Sequence, residues 1–175
     1  MNSKEIYRQA TLLVKKAGTR RAECIAQELG IMISYEDSFT ELLGMYTFRW
    51  NHRMMFLNSR LEGNLKNMVI AHELGHDQRH RSLAKTGQAL KEFSLFRMKD
   101  VTEYEANAFA SHILLDNEEV MQLVYEGNDA AMMSQICGVD INMLLIKLQE
   151  MKRLGYNLRI PMESDASFFK KIEVL

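Results

Sequence analysis

With 175 residues the chain suits one domain with its own core, and 22 Lys plus Arg against 23 Asp plus Glu give no electrostatic case for a nucleic-acid partner or an anionic membrane. Its two cysteines, Cys24 and Cys137, are far apart and outside any CxxC, which excludes a disulfide framework and a cysteine-type zinc site. No stretch approaches ~20 apolar residues and the first residues lack signal-peptide character, so a soluble, cytoplasmic protein without a membrane partner is expected.

Residues 3–16 carry Ile6, Ala10, Leu13, Val14 and then Ala17 at helical spacing, and Gly18 ends that helix. Thr19 is the expected cap of a second helix through Ile25, Ala26 and Leu29, closed by Gly30. The period then changes. Residues 31–35, 43–49 and 54–57 read as strands, with a tight turn over 50–53. From Gly63 the pattern is helical again. Residues 63–80 form one core helix, with Leu65, Met68, Val69, His72 and His76 on one side. Residues 101–115 form a second, with Ala106, Phe109, Ala110 and Leu114. The polar, aperiodic stretch 81–99 between them reads as a loop. Helices follow at 117–126, 129–137 and 141–154, and the tail after Gly155 reads as strand and irregular chain. Helices, then a small sheet of about three strands, then helices again predict an α+β fold rather than a parallel α/β sheet. Residues 1–116 are the expected core, and 117–175 a helical C-terminal part packed on it as a small bundle.

The chemistry concentrates at His72, Glu73 and His76. Two histidines four residues apart on a helix share one face and can reach one metal. Glu73 leans toward the same side, where it can act as a general base without being a ligand; this is the HExxH arrangement. The apolar run Met68–Ala71 places the motif on a buried helix. Gly75, costly in a helix by ~1 kcal/mol against Ala, points to another backbone passing close by.

A catalytic zinc needs a third protein ligand and an open position. A metzincin would have Gly at 79 and His at 82, where this chain has Arg79 and Ser82. The other common solution is a Glu on a later helix, and Glu103 supplies it. Glu103 and Asn107 share a face, whereas Glu105 points roughly 160° away from Glu103. Ala106 and Ala110 on the Glu103 face let two helices approach, and Asn107 can then accept a hydrogen bond from a ligating imidazole. The competing reading of Glu103 is a capping-box residue paired with Asp100. His80, one turn past His76, is either a supporting or substrate-side group or a helix-end histidine favoured by the dipole. His52 and His112 read as surface or packing residues.

Together, Met68–His76 with His80, Glu103–Ala110, Leu57–Asn58, and Ile25–Ala26 through Leu29–Ile31 resemble the ImmA/IrrE family of zinc metallopeptidases. The likeness covers roughly residues 20–116 and extends more loosely to about 155. It departs at Leu114–Asn117, where the family usually has Leu-Leu-Met-Pro. The resemblance implies a zincin-like, gluzincin-like core with Zn2+ held by His72, His76 and Glu103. It also implies narrow proteolysis of a helix-turn-helix repressor, an anti-repressor role in transcription regulation in a bacterium or phage.

In the mechanism these parts predict, Glu73 moves the proton, and Tyr46, Tyr104 and Arg159 are candidates to stabilise the oxyanion. The strand edge at Met54–Asn58 is a candidate for substrate strand addition. Residues 129–153 have helix-turn-helix spacing, so a DNA- or protein-binding regulator is the alternative. The apolar second helix and its mixed charges (Lys147, Glu150, Lys152, Arg153) favour packing on the core instead. A third reading keeps the zinc without turnover, as in a toxin–antitoxin component.

Overall fold

A computed structural model describes residues 2–87, 89–92, 100–159 and 173–174. Helix α1 (Ser3–Ala17) starts where the Asn2 side chain accepts the Glu5 amide. It stops at Gly18, whose left-handed backbone (φ 66°) returns its amide to the Val14 carbonyl. Helix α2 (Ala22–Glu28) begins differently from expectation. Thr19 accepts the Arg21 amide ahead of the helix, and the first helical amide, that of Ala22, donates to Asn67 Oδ1. A side chain distant in sequence thus satisfies an end group that local caps satisfy elsewhere.

Strands β1 (Met32–Glu36), β2 (Gly44–Arg49) and β3 (His52–Asn58) lie within two residues of the expected strands, with His52 and Arg53 in β3 rather than in the turn. Trp50 and Asn51 form the two-residue turn between β2 and β3, both left-handed, with φ 48° and 63°. The expected loop after His80 instead contains a short helix, α4 (Arg81–Lys85), and a fourth strand, β4 (Leu90–Glu92). Residues 93–99 of that loop lie outside the described residues. Antiparallel pairing with β2 makes Leu90–Glu92 a strand within a stretch that reads as aperiodic.

The sheet order is β1-β3-β2-β4, with β1 parallel to β3 and the other neighbours antiparallel. This corrects the reading of Met54–Asn58 as an edge. Strand β3 is interior, paired to β1 on one side and β2 on the other, because the chain returns from the hairpin to lie beside β1. Among the described residues the edges of this sheet are β1 and β4.

Helix α3 (Gly63–Arg79) covers the sheet face that carries Gly44 and Tyr46. It packs on β2, β3 and α2, and most extensively on α5 (Val101–Leu114). Helix α1 packs on α5 from another side. The core runs through Ile6, Ile25, Tyr46, Met55, Leu57, Ile70, Leu74, Phe109 and Ile113, all essentially without exposed surface.

The chain continues with α6 (Asn117–Tyr125), α7 (Ala130–Cys137) and α8 (Ile141–Arg153). Helix α8 packs on α5 and buries Met143, Leu144, Ile146, Leu148 and Met151. After it, β5 (Leu158–Arg159) pairs with β6 (Glu173–Val174), and residues 160–172 of the expected tail lie outside the described residues. Among the described residues no single helix is long and apolar enough to cross a membrane; α7 and α8 meet that test only as a pair bent by 104°.

Side chains close the C-terminal end of α5. Lys147 Nζ donates to the Leu115 carbonyl at 2.7 Å, and Arg20 donates to the carbonyls of His112 and Ile113. The departure from the family pattern gains a local account here. Asp116 pairs with Arg20 and accepts the Glu118 amide as N-cap of α6, so Asn117 takes the first helical position, one that also suits proline.

Candidate metal centre

Helix α3 carries His72, Glu73 and His76 on its buried stretch, and α5 lies against it. The helices can approach so closely because Gly75 faces Ala106. A Cβ at Gly75 would lie 2.7 Å from both the Cα and the carbonyl oxygen of Ala106. At that spacing a glutamate from the first turn of α5 reaches the histidines. Glu103 Oε2 is 3.4 Å from His72 Nε2, and Oε1 is 3.7 Å from His76 Nε2. The two Nε2 atoms converge at 3.0 Å. The Asp100 side chain also accepts the Glu103 amide, so the capping pattern is present and the Glu103 carboxylate still turns inward.

The opposite ring atoms are fixed from behind. His72 Nδ1 lies 3.0 Å from Asn107 Oδ1, which can only accept, so this nitrogen donates and Nε2 is the ring nitrogen turned toward Glu103 and His76. His76 Nδ1 lies 3.1 Å from His80 Nδ1, and His80 Nε2 lies 3.4 Å from Glu105 Oε2. The carboxylate accepts from His80 Nε2, which leaves His80 Nδ1 to accept from His76. His76 Nε2 is thereby freed as well. Burial lowers the pKa of both His76 and His80, which favours these neutral tautomers. Glu105, expected to point away from Glu103, ends this second chain of bonds and also approaches Arg79 at 3.6 Å.

Glu73 is fully buried. No side chain hydrogen-bonds either carboxylate oxygen, and its space exists because β2 has Gly44 there: a Cβ on Gly44 would lie 2.7 Å from Glu73 Oε1. Burial pushes the Glu73 carboxyl up to about 8. His72 works against that shift, while Glu92 and Glu103 add to it. The His72 imidazole shows the same field from the other side. Burial opposes its charge, yet the bonded carboxylates of Glu103 and Glu92 and the nearby Glu73 lift it to about 10. The cluster therefore attracts positive charge to the point where the Nε2 atoms meet.

His72, His76 and Glu103 form a group able to hold a metal ion, with ligand atoms within 4.8 Å of one another. Two imidazoles and a carboxylate with a buried, unsatisfied glutamate alongside match the donor set of a catalytic metal site. Glu92 is a member of the cluster that the motifs did not indicate; its Oε2 lies 3.1 Å from His72 Nε2. The oxyanion candidates fare differently. The Tyr46 hydroxyl donates to buried Asp77 at 2.7 Å and that of Tyr104 to Glu150 at 2.8 Å, while Arg159 lies on β5. His52 is exposed at the start of β3, and His112 is packed against Lys147 at 3.1 Å.

The family profile described as IrrE N-terminal-like domain, Peptidase_M78, matches residues 26–148. A relative named "Uncharacterized immunity region protein 2", from Bacillus phage phi105, is 34% identical over 110 residues, which cover 63% of this chain and 68% of the relative. With the profile spanning most of the sequence and the α+β fold in agreement, the chain belongs to the Peptidase_M78 family of IrrE N-terminal-like domains.

Proposed function

We propose that the protein is a zinc-dependent endopeptidase of narrow specificity, acting in the cytoplasm on a helix-turn-helix repressor to relieve transcriptional repression. The observation that supports the peptidase reading best is the convergence of His72, His76 and Glu103 beside a buried Glu73 that no side chain bonds. The family supports metallopeptidase chemistry, and the immunity-region name of the phage relative fits a role in lifting repression.

In this reading His72, His76 and Glu103 hold Zn2+, which when bound supplies Lewis acidity toward water and a peptide carbonyl. Glu73 takes a proton from the attacking water and delivers it to the leaving nitrogen. Asn107 and His80 orient the imidazoles. Helix α8, the second helix of the helix-turn-helix-like pair, is committed to α5, which favours a packing role over DNA reading.

The test is incubation of the zinc-loaded protein with the helix-turn-helix repressor encoded beside its gene, read by mass spectrometry. One or a few defined cleavage products are expected, with unfolded casein left intact. Robust digestion of casein with the repressor untouched would contradict the proposal.

A further inference from the structure

Helix α6 carries a groove that the metal centre does not use. Glu118, Met121, Gln122, Tyr125 and Glu126 follow the three- and four-residue spacing of one helical face, and with Tyr156 they line a space of about 450 Å³. Met121 and Tyr156 are half-buried against the core, and Asn117 Nδ2 holds the Tyr156 hydroxyl at 3.2 Å. Tyr125 stands 71% exposed. Strand β6 also packs on α6, and the groove and the exposure of Tyr125 persist beside it.

The charge along this groove has one sign. Glu118 and Glu126 lie about 12 Å apart along the axis, with Met121 and Tyr125 between them. From Ile113 to Ile146 the acidic residues are Asp116, Glu118, Glu119, Glu126, Asp129 and Asp140, and the sequence has no Lys or Arg. Asp116, Asp129 and Asp140 are N-caps, and Glu118 and Glu119 suit the first turn of α6. Glu126 has no such role in folding. It caps the C-terminal end of α6, where the helix dipole disfavours an acid, and its carboxylate meets the neutral amides of Gln122 and Asn128 at 3.0 and 3.3 Å.

We propose that this groove docks a basic amphipathic helix, that of the helix-turn-helix repressor, by its DNA-facing side. The proposal rests on the repressor-directed reading above. An apolar floor with an exposed tyrosine and an acid at each end complements a helix whose apolar residues lie between Lys or Arg about eight positions apart. Nucleic acid and anionic membranes carry the wrong charge for it. The groove also stands apart from the metal centre. Glu103 is in the first turn of α5, and about 17 Å of helix separates it from Leu114, beyond which α6 begins. The docked helix is therefore not the segment that is cut, and docking at a distance supplies narrow specificity.

The test measures binding to the full zinc-loaded chain carrying Glu73→Gln, which leaves the repressor uncut. The probes are the neighbouring repressor and, independently of it, a stapled helical peptide with leucines between lysines eight residues apart. Tyr125→Ala and the pair Glu118→Lys with Glu126→Lys are each expected to weaken both probes at least 10-fold, and the charge reversal should also flatten the salt dependence. The pair Asp37→Lys with Glu41→Lys, equal in charge change and exposed elsewhere, should bind as the parent does. With Glu73 restored, the groove variants should raise KM for the repressor and leave kcat near wild type. Repressor binding that the groove variants do not alter, or peptide binding to neither parent nor variant, would overturn the proposal; so would a groove that binds a DNA duplex or anionic vesicles in preference to both probes. A protein that binds the peptide in the groove but ignores the repressor, or that docks the repressor and never cuts it, would instead overturn the reading beneath.

Discussion

Gly75 and Ala106 bring the backbones of α3 and α5 into contact, and that contact sets the reach of Glu103. A side chain at 75 would begin 2.7 Å from the Ala106 backbone, which no rotamer can relieve. Gly75→Ala must therefore push the helices apart. It gains ~1 kcal/mol of helix propensity but incurs overpacking of about 1–3 kcal/mol or more. The expected result is a lower melting temperature together with weakened metal binding. A variant that melts at or above the wild-type temperature and keeps its metal would contradict this packing account.

The two glutamates of α5 have different neighbours and should separate experimentally. Glu103 faces the Nε2 atoms, while Glu105 faces His80 and Arg79. Metal analysis of the purified variants should find Glu103→Ala empty and Glu105→Ala still loaded. The opposite pattern would reassign the third ligand.

Asn107 Oδ1 lies 3.0 Å from the rear nitrogen of His72 and Asn107 is not among the grouped ligands, so its effect is indirect. Asn107→Leu should weaken zinc binding roughly 10- to 100-fold, and Asn107→Asp, which keeps an acceptor there, should recover most of it. Equal affinity in Asn107→Leu, measured by chelator competition, would remove the orienting role.

The candidate metal cluster was largely legible in the sequence because its geometry is local. The spacing of His72 and His76, the glycine at 75 and the shared face of Glu103 and Asn107 all follow from helix periodicity, and the structure brings these residues together. Glu92 was not legible. It lies on a strand that is defined by its pairing with β2, in a stretch that reads as aperiodic. The interior position of β3 was hidden for a related reason. A hairpin signal reports the pairing of β2 with β3 and is silent on the parallel pairing of β3 with β1. The first amide of α2 is likewise satisfied by Asn67, a partner that a local capping rule does not reach.

His112 gives a prediction on pH. Burial, followed by the charges of Lys147 and Arg20, holds its imidazole down to about 2, against ~6.5 in an unfolded chain. Between those values the unfolded chain binds a proton that the folded one does not. This contribution to stability is complete above ~6.5 and declines as the pH falls toward the folded value, by up to ~1.4 kcal/mol per pH unit. NMR should find the His112 ring neutral at pH 5 while thermal melts shift downward between pH 7 and 5. Titration of His112 near its ordinary value would contradict the packing described for α5 and α8.

The central claim is that Glu73 handles protons in peptide hydrolysis, and Glu73→Gln tests it most directly. The substitution keeps size and hydrogen-bonding reach but removes the base. Zinc content should stay close to wild type, because Glu73 is not among the three grouped ligands. Cleavage of the neighbouring repressor should fall about 100- to 10,000-fold, while the repressor still binds and is trapped uncut. If Glu73→Gln, loaded with zinc, cuts the repressor at the wild-type rate, or relieves repression in cells as well as the wild type does, the account of this protein as a peptidase is contradicted.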